Sequence, residues 1–441
     1  MGARPVCLGR LHLHHGRRAG TRRAFTRRGR VRILYISQYF PPEVGATQSR
    51  AHAMARGLVQ AGHRVTMLTE FPNHPTGVIP PGYRGKLFER DTLDGIDILR
   101  VRVLASPRPG FVRRMLFYLS FMVMAAFAGV AVARGRFDVV YVTSPPLFAG
   151  ASALVVRALR RIPMVMEVRD LWPESAVQLG ELREGFACRM AERLEAACYR
   201  HSRRVVAVTE GIRTALQEKG VPDARITGIP NGADTDLFRP HPRAKRREEC
   251  PLDLEPDDFA VVYTGLHGLA HGLETIQDAA EILREERTIR FVFVGSGPRK
   301  AALVERARGR GLDQVSFFDE VPEADLPHIL ARADVGIDTR RKLGITTGTL
   351  PAKMFSYMAC ECPVLLAIEG EAAEMLAGAR AGVAVPPEDP EALAGAILRL
   401  RSDAERRVRL GKNGREFVLK HHSRSALARK LESVLREETG F

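Results

Sequence analysis

The chain has 441 residues and is 45% hydrophobic. This length exceeds what one ordinary hydrophobic core accommodates, so a single-core protein is excluded and two folded domains are predicted. The net charge is +16, but residues 1 to 32 contain ten Arg and no Asp or Glu, which leaves about +6 for the rest of the chain. The basic excess therefore belongs mainly to the N-terminus, and we predict no nucleic-acid partner for the folded body.

Residues 1 to 30 form an arginine-rich N-terminal arm. They lack the continuous apolar run of a secretory signal and cannot build a core, so we predict a disordered arm, or a start codon placed too early. Weaker alternatives are an amphipathic transit peptide and an arm that contacts nucleic acid or anionic lipid.

The six cysteines include no Cys-x-x-Cys pair and no Cys/His group at the spacing of a zinc site. We therefore expect reduced, mostly buried thiols in the cytosol and no metal site. Cys360 and Cys362, which lie closest in sequence, are expected to contribute packing.

The first half alternates short runs rich in β-branched residues with helical patterns, as in a doubly wound parallel α/β domain. Gly45 follows the first of these strands, and we expect it to let a substrate approach the backbone at the carboxyl edge of the sheet. The predicted strands are residues 31 to 37, 64 to 69, 96 to 103, 137 to 143, 164 to 168, 204 to 208 and 225 to 229.

Residues 115 to 133 are the most hydrophobic segment, with arginines on both sides. The segment is long and apolar enough to span a bilayer. A span here would place strands of one sheet on opposite sides of the membrane, so we predict a helix that packs on the sheet and dips one exposed apolar side into a membrane surface. A wholly buried core helix remains the alternative.

Charged residues follow directly after the predicted strand at 164 to 168. Arg169 and Asp170 come at its carboxyl end, beside the only tryptophan of the chain, Trp172. Buried charges are costly unless they are paired or line a site, so we expect these residues to line one. The alternative is that Arg169 and Asp170 pair only with each other.

A second α/β series follows residues 240 to 258, whose proline and charge content is typical of a domain boundary. Its predicted strands are residues 259 to 264, 289 to 294, 315 to 318, 334 to 337 and 363 to 367. Glycines recur in the loops at the strand ends, namely Gly265, Gly268, Gly272, Gly295 and Gly297. Such loops can bind phosphate through backbone N–H groups, so we expect phosphate groups in a cleft between the two domains.

Residues 346 to 362 read as a polar loop that enters a helix through Pro351 and is followed by a buried strand. The free N–H groups of a helix start attract anions, and Lys353 adds a full positive charge. We therefore expect this stretch, with Gly348 and Thr349, to attract an anion; the alternative is a capped surface helix with a solvated lysine.

From residue 31 onward the sequence resembles the retaining GT-B glycosyltransferases of bacterial surface-polysaccharide synthesis, in particular the fucosamine-transferase-like branch. The motifs that carry the resemblance are QYFPPEVGATQSR (38 to 50), FPNHPTG (71 to 77), TSPPLF (143 to 148), EVRDLWPES (167 to 175), IPNGADTDLF (229 to 238), GLAHGLET (268 to 275), VGSGP (294 to 298) and GTLPAKMFSYMA (348 to 359).

The resemblance implies two Rossmann-like domains that face a cleft. The expected units are residues 31 to 238 on the acceptor side, 239 to 424 for the nucleotide sugar, and a last helix in 425 to 441 that crosses back. The implied substrate-binding residues are Gly45, Arg169, Asn231, Gly265, Gly295, Gly297, Gly348, Thr349 and Ser356, and the implied catalytic residues are Asp170 and Lys353.

The implied reaction moves a sugar, of the N-acetylated amino or deoxyamino hexose type, from a nucleotide-sugar donor to a lipid-linked or glycan acceptor with retention. It implies no cofactor and no metal. The expected partners are the nucleotide sugar, a polyprenyl-diphosphate-linked glycan and the inner-membrane surface. The expected location is the cytoplasm, on the cytoplasmic face of the plasma membrane.

The chain departs from the family pattern at Ser356. Many relatives carry two glutamates eight positions apart, where this chain has Gly348 and Ser356. Serine can still bond a hydroxyl group, but charge-assisted hydrogen bonds are about twice as strong. A non-catalytic or impaired nucleotide-sugar-binding protein and a sugar-nucleotide epimerase therefore stay open as alternatives.

Overall fold

The computed structural model describes residues 29 to 441 except 75, 109, 179, 181, 184, 242 to 251, 253 and 343 to 347. The predicted arm up to residue 28, most of the predicted domain boundary and the beginning of the 346 to 362 stretch therefore lie outside the described residues. Two α/β domains account for the described chain, as the sequence predicts.

The first domain is built on an eight-stranded sheet in the order β3-β4-β2-β1-β5-β6-β7-β8. All neighbours are parallel except β3 and β4. The strands are β1 (Arg32–Ile36), β2 (Arg64–Glu70), β3 (Phe88–Leu93), β4 (Ile96–Val101), β5 (Val139–Ser144), β6 (Met164–Val168), β7 (Arg204–Ala207) and β8 (Ile226–Gly228). The strand order reverses between β1 and β5, and ligands of open α/β sheets bind at such a switch point.

Helices cover both faces of this sheet. They are α1 (Ala46–Gln60), α2 (Phe111–Phe127), α3 (Phe148–Arg160), α4 (Glu174–Gln178), α5 (Phe186–His201) and α6 (Glu210–Glu218). One buried cluster lies between the sheet and α2, α3 and α5, and another between the sheet and α1. Burial on both faces explains why these strands are continuous apolar runs.

The edge strand β3 is missing from the sequence prediction. Its sequence FERDTL has no apolar run, and its central residues are exposed. It pairs antiparallel with β4 through a hairpin turn at Asp94 and Gly95, where both residues have positive φ. A short, charged edge strand of this kind discourages pairing with another chain.

The second domain has a six-stranded parallel sheet in the order β11-β10-β9-β12-β13-β14. Its strands are β9 (Phe259–Thr264), β10 (Ile289–Val294), β11 (Val315–Phe318), β12 (Val335–Thr339), β13 (Val364–Ala367) and β14 (Gly382–Val385). Its helices are α7 (Glu274–Ile282), α8 (Lys300–Gly309), α9 (Leu326–Leu330), α10 (Ala352–Ala359), α11 (Glu371–Ala379), α12 (Pro390–Ser402) and α13 (Ala404–Phe417). The order reverses between β9 and β12.

The last helix, α14 (Arg424–Thr439), packs on α1 of the first domain. Leu427, Leu431 and Leu435 belong to the same buried cluster as Met54 and Leu58 of α1. The chain thus crosses between the domains twice, and the crossing segments are joined at Ala233 and Ser423. The Ala233 N–H donates to His422 O at 3.0 Å, and the Arg424 N–H donates to Ala233 O at 2.9 Å.

Helix α2 is buried on one side only. It continues as a π-helical segment, Ala128–Val132, and only 22% of its most apolar 18-residue window is buried. Phe121 and Ala125 face the core, whereas the exposed apolar side chains are Phe111, Val112, Leu116, Leu119, Val123 and Phe127. The helix is therefore neither a wholly buried core helix nor exposed all round.

Candidate functional site

The switch point of the second sheet holds a buried group of opposite charges. Asp338 lies in β12 and is fully buried. Its Oδ1 atom is 3.0 Å from Lys353 Nζ and 2.8 Å from Arg340 Nη1. Its Oδ2 atom is buried without a hydrogen-bond partner. One carboxylate thus serves two basic groups, which leaves one net positive charge at the carboxyl edge of the sheet when Lys353 is protonated.

An aromatic side chain positions the lysine. Lys353 Nζ lies 3.7 Å from the ring centroid of Tyr263, at the end of β9, which is a favourable cation–π contact. The Tyr263 hydroxyl group donates to Leu266 O at 2.6 Å, which fixes the ring. The side chain of Lys353 is 13% exposed, so it is held in place without being wholly enclosed.

Burial changes the protonation of this lysine. Desolvation lowers the pKa of Lys353 to about 7, Asp338 raises it and Arg340 lowers it further. For Asp338, burial raises the pKa, but Arg340 and Lys353 outweigh it, so that the pKa is held below its usual value. The lysine can therefore gain or lose a proton near neutral pH, and an anion beside it favours the charged form.

Two histidines of the loop after β9, His267 and His271, have buried ring nitrogens without a hydrogen-bond partner in the described part of the chain. Both ring nitrogens of His267 are unpaired among the described residues, and so is Nδ1 of His271. Burial lowers the pKa of His267 to about 4 and that of His271 to about 2. His267 packs among Tyr263, Phe293 and Phe317, so a packing role is sufficient to explain it.

The predicted glycines form the wall of this site. A Cβ on Gly265 would lie 3.4 Å from Lys353 Cε, so the glycine borders the lysine. A Cβ on Gly295 would lie 2.0 Å from Gly265 O, and a Cβ on Gly297 would lie 2.6 Å from His267 O, so neither position accepts a side chain without a shift of the backbone. The loops after β9 and β10 are therefore in direct backbone contact, and the structure brings Gly265, Gly295, Gly297 and Lys353 together.

Helix α10 begins after Pro351 and presents Lys353 in its first turn. Met354, Phe355, Tyr357 and Met358 are buried and anchor the helix, and the Tyr357 hydroxyl group accepts a bond from the Thr264 N–H at 2.9 Å. Ser356 and Thr349 are half-buried. The apolar face of α10 therefore fixes the position of the lysine on its other side.

Gly348 and Asn231 lie where the two domains meet. A Cβ on Gly211, in α6 of the first domain, would lie 2.8 Å from Gly348 Cα. Asn231 Nδ2 donates to Leu350 O at 3.2 Å, and the Asn231 carbonyl group is 2.9 Å from His422 Nδ1. These two predicted residues thus connect the domains in addition to any contact with a ligand.

On the first domain, the predicted residues lie at the carboxyl edge around β1 and β6. Gly45 precedes α1, and Arg169 Nη2 donates to Thr47 Oγ1 at 2.6 Å. Arg169 Nε is buried without a partner, and burial lowers the pKa of this arginine. Burial raises the pKa of Asp170, although Ser175 and Leu171 bond to the carboxylate. No ion pair joins Arg169 and Asp170, so the purely paired alternative is not what the structure shows.

Glu167, by contrast, is part of the core. Arg50 donates to its Oε2 atom at 2.8 Å, and Tyr141 and Thr143 donate hydroxyl bonds at 2.8 and 3.0 Å. Arg50 also donates to the Ile229 and Pro230 carbonyl groups. This buried network joins β6 to the end of β8 and leaves Glu167 no role in a ligand site.

A second polar cluster, missed by the sequence prediction, lies after β1 and β2. The Glu43 Oε1 atom accepts from the Asn73 and His74 N–H groups at 2.7 and 2.8 Å, and Oε2 is buried without a partner. Glu70 accepts from Gln38 and from the Asn73 side chain. Burial raises the pKa of both carboxylates. The motifs at residues 38 to 50 and 71 to 77 each contain one of these polar residues, Glu43 and Asn73, and could have indicated the cluster.

The structure thus forms two groups of predicted residues. Lys353 and the second-domain glycines make one, and Gly45, Arg169 and Asp170 make the other; no hydrogen bond or ion pair among the described residues joins the groups directly. Sequence reasoning missed Asp338, Arg340 and Tyr263. The charged residue inside the buried run VGIDT could have indicated the site, but the predicted strand ended at residue 337, two residues before the observed end of β12 at Thr339.

Two family descriptions match the chain in sequence. "Glycosyl transferase 4-like domain" matches residues 45–232, and "Glycosyl transferases group 1" matches residues 246–417. The two matches follow the two domains and together span most of the chain.

Individual relatives agree with these matches. WcaI of Escherichia coli, provisionally named a colanic acid biosynthesis glycosyl transferase, is 25% identical over 83% of this chain and 91% of its own. The GDP-mannose-dependent alpha-(1-6)-phosphatidylinositol monomannoside mannosyltransferase of Mycobacterium tuberculosis is 32% identical over 49% of this chain and 57% of its own. In structure, HepE of Anabaena with UDP and glucose covers 92% of this chain and all of its own, with a TM-score of 0.70 and 16% identity; HepE has also been solved with UDP-glucose.

Proposed function

Because the chain belongs to the group 1 glycosyltransferases of the GT-B fold, we propose that it moves an N-acetylated amino or deoxyamino hexose from a nucleotide sugar to a lipid-linked acceptor, with retention. The chain is an enzyme of the hexosyltransferase type, and its setting is polysaccharide or glycoconjugate biosynthesis.

The observation that carries the proposal is the Lys353 ammonium group at the switch point of the second sheet. It is anchored by Asp338 and Tyr263, bordered by Gly265, and partly accessible. An anionic ligand placed there would meet one net positive charge and backbone N–H groups of two glycine loops. The diphosphate of a nucleotide sugar has this chemistry, and HepE, which shares the fold, has been solved with UDP-glucose.

The chemical problem is departure of the nucleotide diphosphate while positive charge builds at the anomeric carbon. Preorganised cations and N–H groups offset the charge on the leaving group, and removal of one such donor costs about 3 to 4 kcal/mol of barrier. Lys353 and Arg340 already supply positive charge to the leaving group, and we therefore expect activity without an added metal ion. Asp170, at the facing edge of the first domain, is assigned to the sugar or the acceptor.

The surface of the first domain supports an acceptor that is held in a membrane. The exposed apolar face of α2 is flanked by Arg113 and by Arg134, and such a surface fits the interface of an anionic membrane. The name of one relative, a phosphatidylinositol monomannoside mannosyltransferase, is consistent with a lipid acceptor. The enzyme would then work on the cytoplasmic face of the plasma membrane.

A donor screen tests this function. The protein is incubated with labelled UDP-, GDP- and dTDP-sugars and vesicles that carry a polyprenyl-diphosphate-sugar, with and without EDTA. We expect labelled lipid with one donor class, no loss in EDTA, and an axial anomeric bond by NMR when the donor bond is axial. No transfer from any donor would contradict the proposal, and a new sugar nucleotide formed from the donor alone would indicate an epimerase.

A further inference from the structure

An open cavity of about 450 Å³ lies between the loop after β2 and the segment that leads from β4 to α2. Its walls are mostly apolar. Phe71, Ile79 and Tyr83 come from the loop, and Ala105 and Pro107 come from the segment that leads into α2. The backbones touch at the base, because a Cβ on Gly77 would lie 2.2 Å from Ser106 O.

Two arginines give this apolar cavity a positive charge. Arg84 and Arg102 line it from opposite segments and are both exposed. Among the described residues, neither guanidinium group has a carboxylate partner, and Arg84 makes only a 3.4 Å bond to Ile79 O. Paired cations in an apolar cavity suit a ligand that combines phosphate groups with hydrocarbon.

A third guanidinium group, that of Arg100, lies close to Tyr83. Arg100 is buried, its Nη2 atom donates to Pro41 O at 2.6 Å, and its Nε and Nη1 atoms have no partner. Burial lowers the pKa of Arg100, and its nearest carboxylate, Asp91, is 3.8 Å away. A buried and poorly compensated positive charge favours an anion in its neighbourhood.

The exposed apolar face of α2 follows the cavity wall closely in the chain. Val78, Leu87 and Leu104 are exposed, and Phe111 and Val112 begin the helix four residues after Pro107. The loop after β2, which lines the cavity, also reaches the first-domain cluster: the Gly77 N–H donates to Asn73 O, and the Asn73 N–H donates to Glu43. A ligand with its hydrocarbon tail toward α2 would thus carry its polar head toward this cluster.

We infer that this cavity binds the diphosphate and the first isoprene units of a polyprenyl-diphosphate-linked acceptor, with Arg84 and Arg102 on the phosphates. The tail would leave along α2 into the membrane. The acceptor sugar would point toward Glu43, whose free Oε2 atom can accept a hydroxyl bond. This inference rests on the proposed function, since it names the acceptor site of that reaction.

Binding to nanodiscs tests the inference without any transfer reaction. Phosphatidylcholine nanodiscs with and without undecaprenyl diphosphate are compared for the wild type, for R84Q/R102Q and for the control R193Q/R200Q. The control loses the same charge at two exposed arginines on α5 of the same domain. We expect undecaprenyl diphosphate to tighten wild-type binding, and this gain to fall by about tenfold or more in R84Q/R102Q but not in the control.

Three outcomes would overturn the inference. The gain in affinity from undecaprenyl diphosphate could be unchanged in R84Q/R102Q, or it could fall equally in the control. Inorganic pyrophosphate could also displace the protein from the lipid-containing nanodiscs as effectively as free undecaprenyl diphosphate does. Circular dichroism and nucleotide-sugar binding, measured on the same variants, must stay at wild-type values. A failure of the proposed transferase function would leave the nanodisc result intact, and a failure of the nanodisc result would leave donor binding and donor specificity intact.

Discussion

The ammonium group of Lys353 lies 3.0 Å from Asp338 Oδ1, the same atom that accepts a bond from Arg340. The carboxylate therefore orients two cations but can neutralise only one. The surplus charge sits where the strand order of the second sheet reverses, beside glycine loops whose backbones touch. A diphosphate bound there would replace water around a site that is already charged and rigid.

Lys353→Met should lower kcat/KM for the donor by about 10² to 10³-fold, because one charge that stabilises the leaving group is lost. Steady-state kinetics with saturating acceptor measures the effect. Lys412→Met serves as the control, since Lys412 is an exposed lysine on α13 of the same domain. Wild-type kinetics in Lys353→Met would remove the lysine from the reaction.

Donor affinity should depend on pH. The pKa of Lys353 is lowered to about 7 in the free protein. A bound diphosphate raises it, so binding above pH 7 takes up a proton, and affinity falls as pH rises, by at most about tenfold per pH unit. Below that pKa the lysine is already charged and the dependence disappears.

Lys353→Arg provides the control for this pH dependence, because arginine stays charged over the whole range. Isothermal titration of the donor nucleotide between pH 6 and pH 9 should show a slope for the wild type and none for Lys353→Arg. Equal slopes in both proteins would assign the titration to another group.

Val112→Glu/Val123→Glu should release the protein from anionic vesicles. The two valines are 68% and 60% exposed on the outer face of α2, and each contributes about 1.5 kcal/mol when it is buried in the interface. Vesicle flotation measures the bound fraction. Val408→Glu is the control, since Val408 is 57% exposed on the other domain. Unchanged flotation of the double variant would argue against α2 as the docking face.

Phe121 is not a suitable position for that test, although the apolar pattern of residues 115 to 133 suggests it. Phe121 is fully buried against the sheet, whereas Phe127 is 55% exposed and stacks on Phe88 of β3. Glutamate at 121 would bury an unpaired charge and unfold the domain. The sequence alone does not show which face of an almost uniformly apolar helix meets the sheet.

Glu167→Gln should lower the free energy of unfolding by about 3 to 5 kcal/mol, because it leaves the buried Arg50 guanidinium group without its counter-charge. Chemical denaturation followed by circular dichroism measures this. Glu210→Gln, at an exposed carboxylate, should have little effect. A fully stable Glu167→Gln would mean that the Ile229 and Pro230 carbonyl groups suffice for Arg50.

Much of the fold follows from the sequence because the strands are buried on both faces. Strands β6, β9, β10 and β11 coincide with their predicted bounds, since each is a compact apolar run between turns. The charged edge strand β3 has no such run and is fixed by its pairing with β4. Tertiary pairing decides elements that lack their own hydrophobic pattern.

The candidate site is only half predictable for a similar reason. Lys353 and the glycines can be predicted from the local sequence, because they follow the residue patterns of a helix start and of turns. Asp338 and Tyr263 come together only because β12 and β9 are neighbours in the sheet. These strands are far apart in the chain: Asp334 and its hydrogen-bond partner Ala260, at the start of the two strands, are 74 residues apart. Motif spacing carries no information on which side chains of separate strands meet.

The two crossings between the domains share one seam, at Ala233 and Ser423, where backbone hydrogen bonds run in both directions. A single tether would let the domains twist and slide, whereas two segments paired side by side are expected to restrict their relative motion to rotation about the seam. Opening the cleft to admit a donor would then leave the lateral position of one domain against the other unchanged, and closing it would restore the same pairing of donor and acceptor at every turnover.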